Sequence, residues 1–382
     1  MSLWVGIMGR SRAALVASIV SLMLALIACG ANAVSNAGQG SDVNSVPSSS
    51  GGAKVGVILP DTASSARYES FDRPLLEKAF RAEGLDADIQ NALGDAQKFS
   101  ILSDGMINSG VRVLVIDSLS SELGAAVAKK AQAAGIPTID YDRLNLGGSS
   151  EYYVSFDNVR VGALQGQALV QAVGAKAGAD IIEIEGSPTD NNATLLYQGQ
   201  QSVLRPKYDS GQYKRIGTQR IPDWNNQQGG VVFEQFLTAN GGKVDGVLAA
   251  NDGMAGAVIT VLKKTGLAGK VPVTGQDATP EALRAILRGD QYMTVFKPIA
   301  QEADVTAKLA AALAKGDKAA ADAQVTATSQ DSKGNRTVKS VLLAPALITK
   351  NNVKQVIDQG GVLVSKICVE DTRATCDQLG IK

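Results

Sequence analysis

Charged and amide side chains recur directly after the short apolar runs of this sequence. In "IDYDRLN", for example, Asp142 and Arg143 follow a run that ends in Tyr141. Carboxylates and amides accept hydrogen bonds from hydroxyl groups, while arginine, lysine and asparagine donate to them. The residues in such positions are Arg67, Tyr68, Asp142, Arg143, Asn191, Asn192, Asn251, Asp277 and Lys297. The flat ring of Trp224 in "RIPDWNN" completes the set. The set predicts a small, neutral ligand that is rich in hydroxyl groups.

Each member of this set also has an ordinary structural explanation. Asp142-Arg143 can form a solvated turn, and "DNN" can cap a helix that begins near Ala193. "NDG" at Asn251 can be plain turn chemistry, and a lone tryptophan is often part of a core. The recurrence of the pattern at successive strand ends favours a binding site over these alternatives.

Composition excludes several classes of function. The chain has 382 residues, 45% hydrophobic and 19% charged, with 37 basic and 37 acidic side chains. No basic stripe indicates a nucleic-acid partner. Histidine is absent, which excludes histidine general bases, serine–histidine triads and histidine zinc sites. The glycine-rich phosphate-binding motifs are also missing, so we expect no nucleotide, metal or other cofactor.

Short valine- and isoleucine-rich runs alternate with amphipathic helical patterns along most of the chain. The predicted strands are "KVGVILP", "VRVLVID", "IPTIDY", "ADIIEIEG", "VDGVLAAN", "VPVTGQD" and "YMTVF". This alternation predicts an α/β fold with doubly wound parallel sheets, in which ligands bind beyond the carboxyl ends of the strands. The chain is too long for one such sheet, so two lobes with a cleft between them are expected.

The amino terminus resembles an export signal. Basic residues precede an apolar run that ends in "LIAC", which resembles a lipobox, so residues 1–28 are expected to be cleaved and Cys29 to be acylated. An ordinary signal peptide with an incidental cysteine is the alternative. Residues 29–52 are small and polar and predict a flexible tether. Export permits disulfides, so Cys368 and Cys376 are expected to pair, with two free, buried cysteines as the alternative.

Several stretches resemble the type I periplasmic binding proteins, in particular the group that binds pentoses and hexoses. Among them are "GIPTIDYDRL", "GSPTDNNATLLYQGQ", "VDGVLAANDGMAGAVI" and "VTGQDATPEALRAIL". The resemblance implies two lobes joined by three crossing segments, near residues 155–158, near residues 291–297 and around "RTVKSVLL". The lobes implied are residues 53–157 with 296–334 and residues 158–295 with 335–382.

The resemblance also implies roles for individual residues. Arg67 is the donor from the first strand–helix loop, and Tyr68 stands where a tryptophan is usual. Asp142 and Arg143 are a paired acceptor and donor, and Trp224 is a stacking ring. The remaining contacts implied are Asn192 or Asn191, Asn251, Asp277 and Lys297.

The function implied is that of a monomeric, lipid-anchored receptor on the outer face of a bacterial cell membrane. It would bind a monosaccharide, with D-xylose favoured, and deliver it to the permease of an ABC importer. Glucose, galactose and arabinose stay open as ligands, and so does presentation of the sugar to a sensor kinase or chemoreceptor. A transcription regulator of this fold would carry a DNA-binding domain where the signal peptide stands. An acid–base pair of Asp142 and Asp277 would lack a proton donor, so no enzyme is expected.

Overall fold

The computed structural model describes residues 53–382, so the predicted signal peptide, the acylation site at Cys29 and the whole of the predicted tether lie outside the described residues. The strands are β1 Ala53–Leu59, β2 Leu85–Asn91, β3 Val113–Ile116, β4 Thr138–Tyr141, β5 Tyr152–Phe156, β6 Ala179–Glu185, β7 Tyr213–Arg220, β8 Gly246–Ala249, β9 Met293–Phe296, β10 Ala327–Asp331, β11 Arg336–Leu343 and β12 Ala346–Thr349. The helices are α1 Arg73–Ala82, α2 Ala96–Asn108, α3 Ser121–Ala133, α4 Asn158–Val173, α5 Asn191–Asp209, α6 Asn226–Ala239, α7 Asp252–Lys264, α8 Pro280–Arg288, α9 Ile299–Ala314, α10 Lys318–Asp322, α11 Lys354–Asp358, α12 Val364–Ile367 and α13 Arg373–Gln378. Within residues 53–382, no helix combines the length and the apolar character needed to cross a membrane.

The first lobe is built on a seven-stranded sheet in the order β10-β11-β5-β4-β3-β1-β2. Neighbouring strands are parallel except β10 and β11. The strand β3 is apolar on both faces because helices cover both: Val113 and Val115 face the cluster that includes α1 and α9, while Leu114 and Ile116 face α2 and α3. This arrangement confirms the predicted doubly wound α/β fold.

The second lobe contains the parallel sheet β7-β6-β8 and the antiparallel pair β12-β9. The prediction of a full strand at "VPVTGQD" is wrong. Val273 makes only a single parallel bridge to Val247. Pro272, whose carbonyl accepts from the Val247 amide, has no N–H to donate in return, and this limits the ladder.

Three segments join the lobes. The chain leaves β5 at Phe156 and enters α4 at Asn158, and it returns between β9 and α9, which packs on the first sheet. The third crossing lies later than the boundary at residue 335 expected from the sequence. The strand β11 pairs with β5 in the first sheet, so the chain leaves the first lobe only after Leu343.

The C-terminal helices form a small cluster against the second lobe. Phe296, Val356 and Ile367 pack there with residues of α8. The two cysteines that the sequence predicts to pair, Cys368 and Cys376, form a disulfide inside this cluster. The disulfide therefore closes a short loop between α12 and α13, and this loop packs against α8, which begins three residues after Asp277.

Candidate functional site

A cavity of about 340 Å³ lies between the lobes, at the carboxyl ends of their strands. Its position agrees with the rule that ligands bind at this edge of open α/β sheets. It is lined by Ser64, Ser65, Arg67, Tyr68, Asp142, Arg143, Asn158, Asp190, Asn192, Trp224, Asn251, Gln276, Asp277 and Lys297. Nearly every lining side chain carries a donor or an acceptor, and both signs of charge are present.

The cavity brings together all the ligand-contacting residues expected from the sequence except Asn191, which is not among its lining residues. Asn191 and Asn192 open α5, and one step along a helix turns the side chain by about 100°. Asn192 is the amide that faces the site. Its Nδ2 donates to the Asp142 carbonyl at 2.9 Å, and its Oδ1 accepts from Asn158 Nδ2 at 3.0 Å.

Five lining residues were not predicted from the sequence: Ser64, Ser65, Asn158, Asp190 and Gln276. Each is a short distance along the chain from a predicted residue or a crossing segment, for example in "DTASSARY", "SFDN" and "GQD". The pattern of polar residues after strands therefore identified the loops that form the site, but it predicted too few of the residues within each loop.

The backbone at Asp142 is held in an unusual conformation. Its φ is 57°, which is uncommon for a residue other than glycine. The carbonyl oxygen of Asp142 accepts from Ser155 Oγ at 2.7 Å, Asn192 Nδ2 at 2.9 Å and the Tyr153 hydroxyl at 3.1 Å. The bonds from Ser155 and Tyr153, which belong to the first lobe, fix the turn and with it the position of the Asp142 carboxylate, and the bond from Asn192 joins them when the lobes close.

Arg67 is held by three acidic side chains. Its Nε and Nη2 donate to the two oxygens of Asp72 at 2.9 and 2.7 Å, Nη2 also donates to Glu302 at 2.8 Å, and Nη1 donates to Asp142 at 2.9 Å. Asp72 is the last residue of a π-helical turn over Tyr68–Asp72, and Arg67 is the N-cap of that turn. Such turns are often found at functional sites. Most of the guanidinium is thus committed to the protein, and Arg67 mainly positions Asp142.

Arg143 connects strand ends of both lobes. Its Nε lies 3.2 Å from Asp190 and 3.7 Å from Asp117, Nη1 donates to the Ser118 carbonyl at 2.9 Å, and Nη2 donates to the Tyr68 hydroxyl at 2.7 Å. These contacts use the single N–H of Nε and one N–H each of Nη1 and Nη2. One N–H on Nη1 and one on Nη2 therefore remain for a ligand.

Tyr68 takes the position where the resemblance leads one to expect a tryptophan. Its ring centroid lies 5.5 Å from the guanidinium carbons of Arg67 and Arg143. Its hydroxyl accepts from Arg143 and lies 3.3 Å from Asp142 Oδ2, to which it donates. The phenol therefore acts as a hydrogen-bonding link as well as a ring, which an indole at this position would not reproduce.

Lys297 and Asp277 form the second charged pair of the cavity. The ammonium lies 2.9 Å from Asp277 Oδ1, and both side chains are almost fully buried. Asp277 Oδ2 also accepts from Ser65 Oγ of the first lobe at 3.1 Å. Burial lowers the pKa of Lys297, but Asp277 and Asp142 outweigh it and hold that pKa above its ordinary value. Lys297 is therefore a permanent cation at the second crossing segment.

Trp224 forms an apolar wall of the cavity. Its indole N–H donates to Asp190 Oδ2 at 3.0 Å. The ring lies against Gly186, where an added Cβ would come within 2.2 Å of a ring carbon. A glycine at the end of β6 is thus required for the ring to occupy this place.

Several hydrogen bonds cross directly between the lobes. Asn251 Nδ2 donates to the Ser64 carbonyl at 3.1 Å, and Asn226 Nδ2 donates to the Ala63 carbonyl at 3.0 Å. Asn251 also caps α7 through its Oδ1, which accepts from the Met254 amide. Asn251 is therefore a helix cap and not the plain turn residue of the alternative explanation, and the same side chain still faces the cleft. The structure is a closed arrangement of the two lobes.

The electrostatics of the cavity suit ligand binding better than acid–base chemistry. Burial raises the pKa of Asp142, but Arg67, Lys297 and Arg143 outweigh it and hold the pKa below its ordinary value, so this carboxylate is an acceptor. Over residues 53–382, no group of three or more histidine, cysteine or acidic side chains could hold a metal ion. The donor and acceptor set matches hydroxyl groups.

Glu302 gives the fold a specific pH dependence. Burial raises its pKa from 4.5 to about 8. Between these values the folded protein keeps a proton that the unfolded chain releases, so this group makes folding less favourable as pH rises through that window. We expect the unfolding free energy of Glu302→Gln to fall less between pH 5 and pH 8 than that of the unmodified protein, measured by urea unfolding.

The exposed residue Glu122 offers a matched control for this prediction. Glu122→Gln should leave the pH dependence as it is in the unmodified protein. Parallel pH profiles for Glu302→Gln and the unmodified protein would show that Glu302 titrates in its ordinary range.

Comparisons with known proteins agree with this architecture. Residues 55–318 match the periplasmic binding protein domain. The D-xylose-binding periplasmic protein of Escherichia coli is 36% identical over 308 residues, which cover 81% of this chain and 90% of that protein. The multiple sugar-binding periplasmic receptor of Rhizobium radiobacter is 34% identical over 326 residues, with 80% and 90% covered.

Solved structures show the same fold. An ABC transporter solute-binding protein from Clostridium phytofermentans with bound β-D-glucose superimposes with a TM-score of 0.74 at 28% identity, covering 82% of this chain and 99% of that one. The family match spans more than half of the sequence, and the relatives align over most of their length. The chain therefore belongs to the periplasmic binding protein family and has the type I fold.

Proposed function

We propose that this protein is a lipid-anchored receptor, exposed outside the cytoplasmic membrane, that binds a monosaccharide in the cleft between its lobes. D-xylose is the favoured ligand, and an ABC importer is the proposed recipient. The protein acts as a monomer and needs no cofactor. Closure of the lobes over the sugar is the step that the permease recognises, since only the closed form brings both sets of contacts to the ligand.

The observation that carries this proposal is the chemistry of the cavity. Fixed donors and acceptors from both lobes surround the space between them, with the ring of Trp224 as an apolar wall. A monosaccharide carries hydroxyl groups around its edge and C–H groups on its faces, and hydroxyls pair with both signs of partner. Asp142, Asn251 and Asp277 supply acceptors, while Arg143 and Lys297 supply donors.

The names of the relatives support the choice of ligand. The D-xylose-binding periplasmic protein of Haemophilus influenzae is 35% identical over 308 residues, and its counterpart from Escherichia coli is 36% identical over the same number of residues. The Rhizobium receptor is described as binding multiple sugars, and the Clostridium structure holds glucose. D-xylose is thus the first candidate, and glucose, galactose and arabinose are the alternatives.

A thermal-shift panel tests the proposal. The protein beginning at Ala53 is scanned with D-xylose, D-glucose, D-galactose and L-arabinose at equal concentrations. A ligand that binds only the folded state raises the melting temperature by mass action, so D-xylose should give the largest rise. No rise with any of the sugars would refute the receptor function.

The lipid anchor has its own test. Cys29→Ser removes the thiol that would receive the diacylglycerol, so the protein should stay unprocessed or be released from the membrane fraction. One acyl chain binds a membrane only marginally, but several together anchor stably. Fractionation and mass spectrometry of the mature protein measure both outcomes. A membrane-bound variant of normal mature mass would contradict acylation at Cys29.

A further inference from the structure

A groove adjoins the cavity. It contains about 1690 Å³ of space, against about 340 Å³ for the cavity, and both volumes include space open to solvent. Ser64, Arg143 and Trp224 border both spaces. The groove therefore begins at the wall of the proposed sugar site and runs outward between the lobes.

Closure of the lobes does not collapse this groove. Ala63 and Asn226, which both line it, are already hydrogen-bonded to each other across the cleft. The amide of Ser121 in the first lobe likewise donates to the carbonyl of Thr189, another lining residue, at 3.2 Å. The lobes are thus in direct contact at the groove, and the space remains beside those contacts.

The two walls of the groove differ in chemistry. The first lobe contributes Ala96, Leu119 and Leu123, which present apolar groups. The second lobe contributes Asp223, Asn225 and Gln227, which are exposed and present a carboxylate and two amides. Leu119 and Leu123 are half-buried, so part of each side chain faces the groove. A sugar ring has this same division between C–H faces and hydroxyl edges, so it can place a face on the apolar wall and its hydroxyls on the polar one.

We propose that the groove is a second subsite, which holds a further sugar unit attached to the monosaccharide in the cavity. The receptor then takes short oligosaccharides or glycosides as well as free monosaccharides. This proposal rests on the sugar-binding function proposed above. It assigns Ser64, Arg143 and Trp224 a second task, because these three residues border both spaces.

The test compares a sugar with its own dimer. D-xylose and xylobiose, and D-glucose and cellobiose, are titrated calorimetrically into the protein beginning at Ala53. Each dimer has one ring substituted at O1 and one ring substituted at O4. The titration therefore tests a linkage to the groove from either position of the ring in the cavity. Ala96 is exposed on the groove wall, so Ala96→Phe should narrow the groove without disturbing the fold. Ala133→Phe, at an exposed position near the end of α3, is the matched control.

The dimer of the preferred sugar should bind within about tenfold of the monosaccharide, and Ala96→Phe should weaken the dimer by at least about tenfold while leaving the monosaccharide within about twofold. Ala133→Phe should change neither. A monosaccharide that binds while its dimer does not overturns the second subsite and leaves the receptor function intact. Equal effects of Ala96→Phe on both sugars also overturn it. Failure of all four sugars to bind overturns the receptor function itself.

Discussion

Arg143→Ala is expected to weaken sugar binding by about two to four powers of ten. In the closed form the Arg143 guanidinium is 3.2 Å from Asp190 and 3.7 Å from Asp117, and all three side chains are buried. Removing one partner of a buried ion pair costs about 3–5 kcal/mol, because the remaining charges stay uncompensated. Burial holds the pKa of Asp117 well above its ordinary value, and its carboxyl oxygens have no hydrogen-bond partner among the described residues, so Asp190 is the main charged partner that the substitution leaves behind. The loss is measured by calorimetric titration of D-xylose.

Arg143→Lys should recover only part of the lost affinity, because an ammonium cannot reach these partners as a planar guanidinium does. The exposed Arg205 is the matched control, and Arg205→Ala should bind sugar as the unmodified protein does. In the open form water reaches Arg143, so the empty protein should lose much less stability than affinity. Equal dissociation constants for the unmodified protein, Arg143→Ala, Arg143→Lys and Arg205→Ala would mean that Asp142-Arg143 is an ordinary turn with no role in binding.

Lys297→Met should have an effect of similar size. The substitution keeps the length of the side chain and leaves Asp277 buried without its cation, which again costs about 3–5 kcal/mol. It also removes a charged donor from the cavity wall. Both effects oppose closure over a ligand, so affinity should fall and the melting temperature of the empty protein should fall less. Calorimetric titration and thermal unfolding measure the two quantities.

A second substitution separates charge balance from ligand contact. Lys297→Met combined with Asp277→Asn removes both charges, so stability should return toward that of the unmodified protein while binding stays weak. Lys308→Met, at an exposed position on α9, should have no effect on either. Recovery of sugar affinity in the double variant would mean that the pair only stabilises the fold.

The polar residues that follow the strands in the sequence predicted most of the site, because the fold brings the ends of the strands together. Parallel strands place their carboxyl ends along one edge of the sheet, so residues as distant as Asp142 and Asn251 converge when the helices between them pack. The amphipathic patterns between the apolar runs likewise predicted the helices that pack on the sheets. Edge strands were harder to predict. The strand β7 is largely exposed and lacks the apolar run that marks a buried strand.

The supporting residues of the site could not be found from local sequence. Glu302 lies 235 positions from Arg67, on a helix that follows the second crossing segment, and no motif near either residue links them. Asp72 belongs to a π-helical turn, which has no simple sequence signature. Asn191 and Asn192 differ only by their rotation about α5. Each of these features depends on packing between distant segments, which a single sequence does not encode in any short stretch.

The most direct measurement of the central claim is the crystal structure of residues 53–382 grown with D-xylose. The account predicts one sugar ring in the cavity, within hydrogen-bond distance of Asp142, Arg143, Asn251, Asp277 and Lys297, with a face against Trp224. A sugar bound outside the cleft, or a cavity that holds only water at saturating D-xylose, would contradict the account.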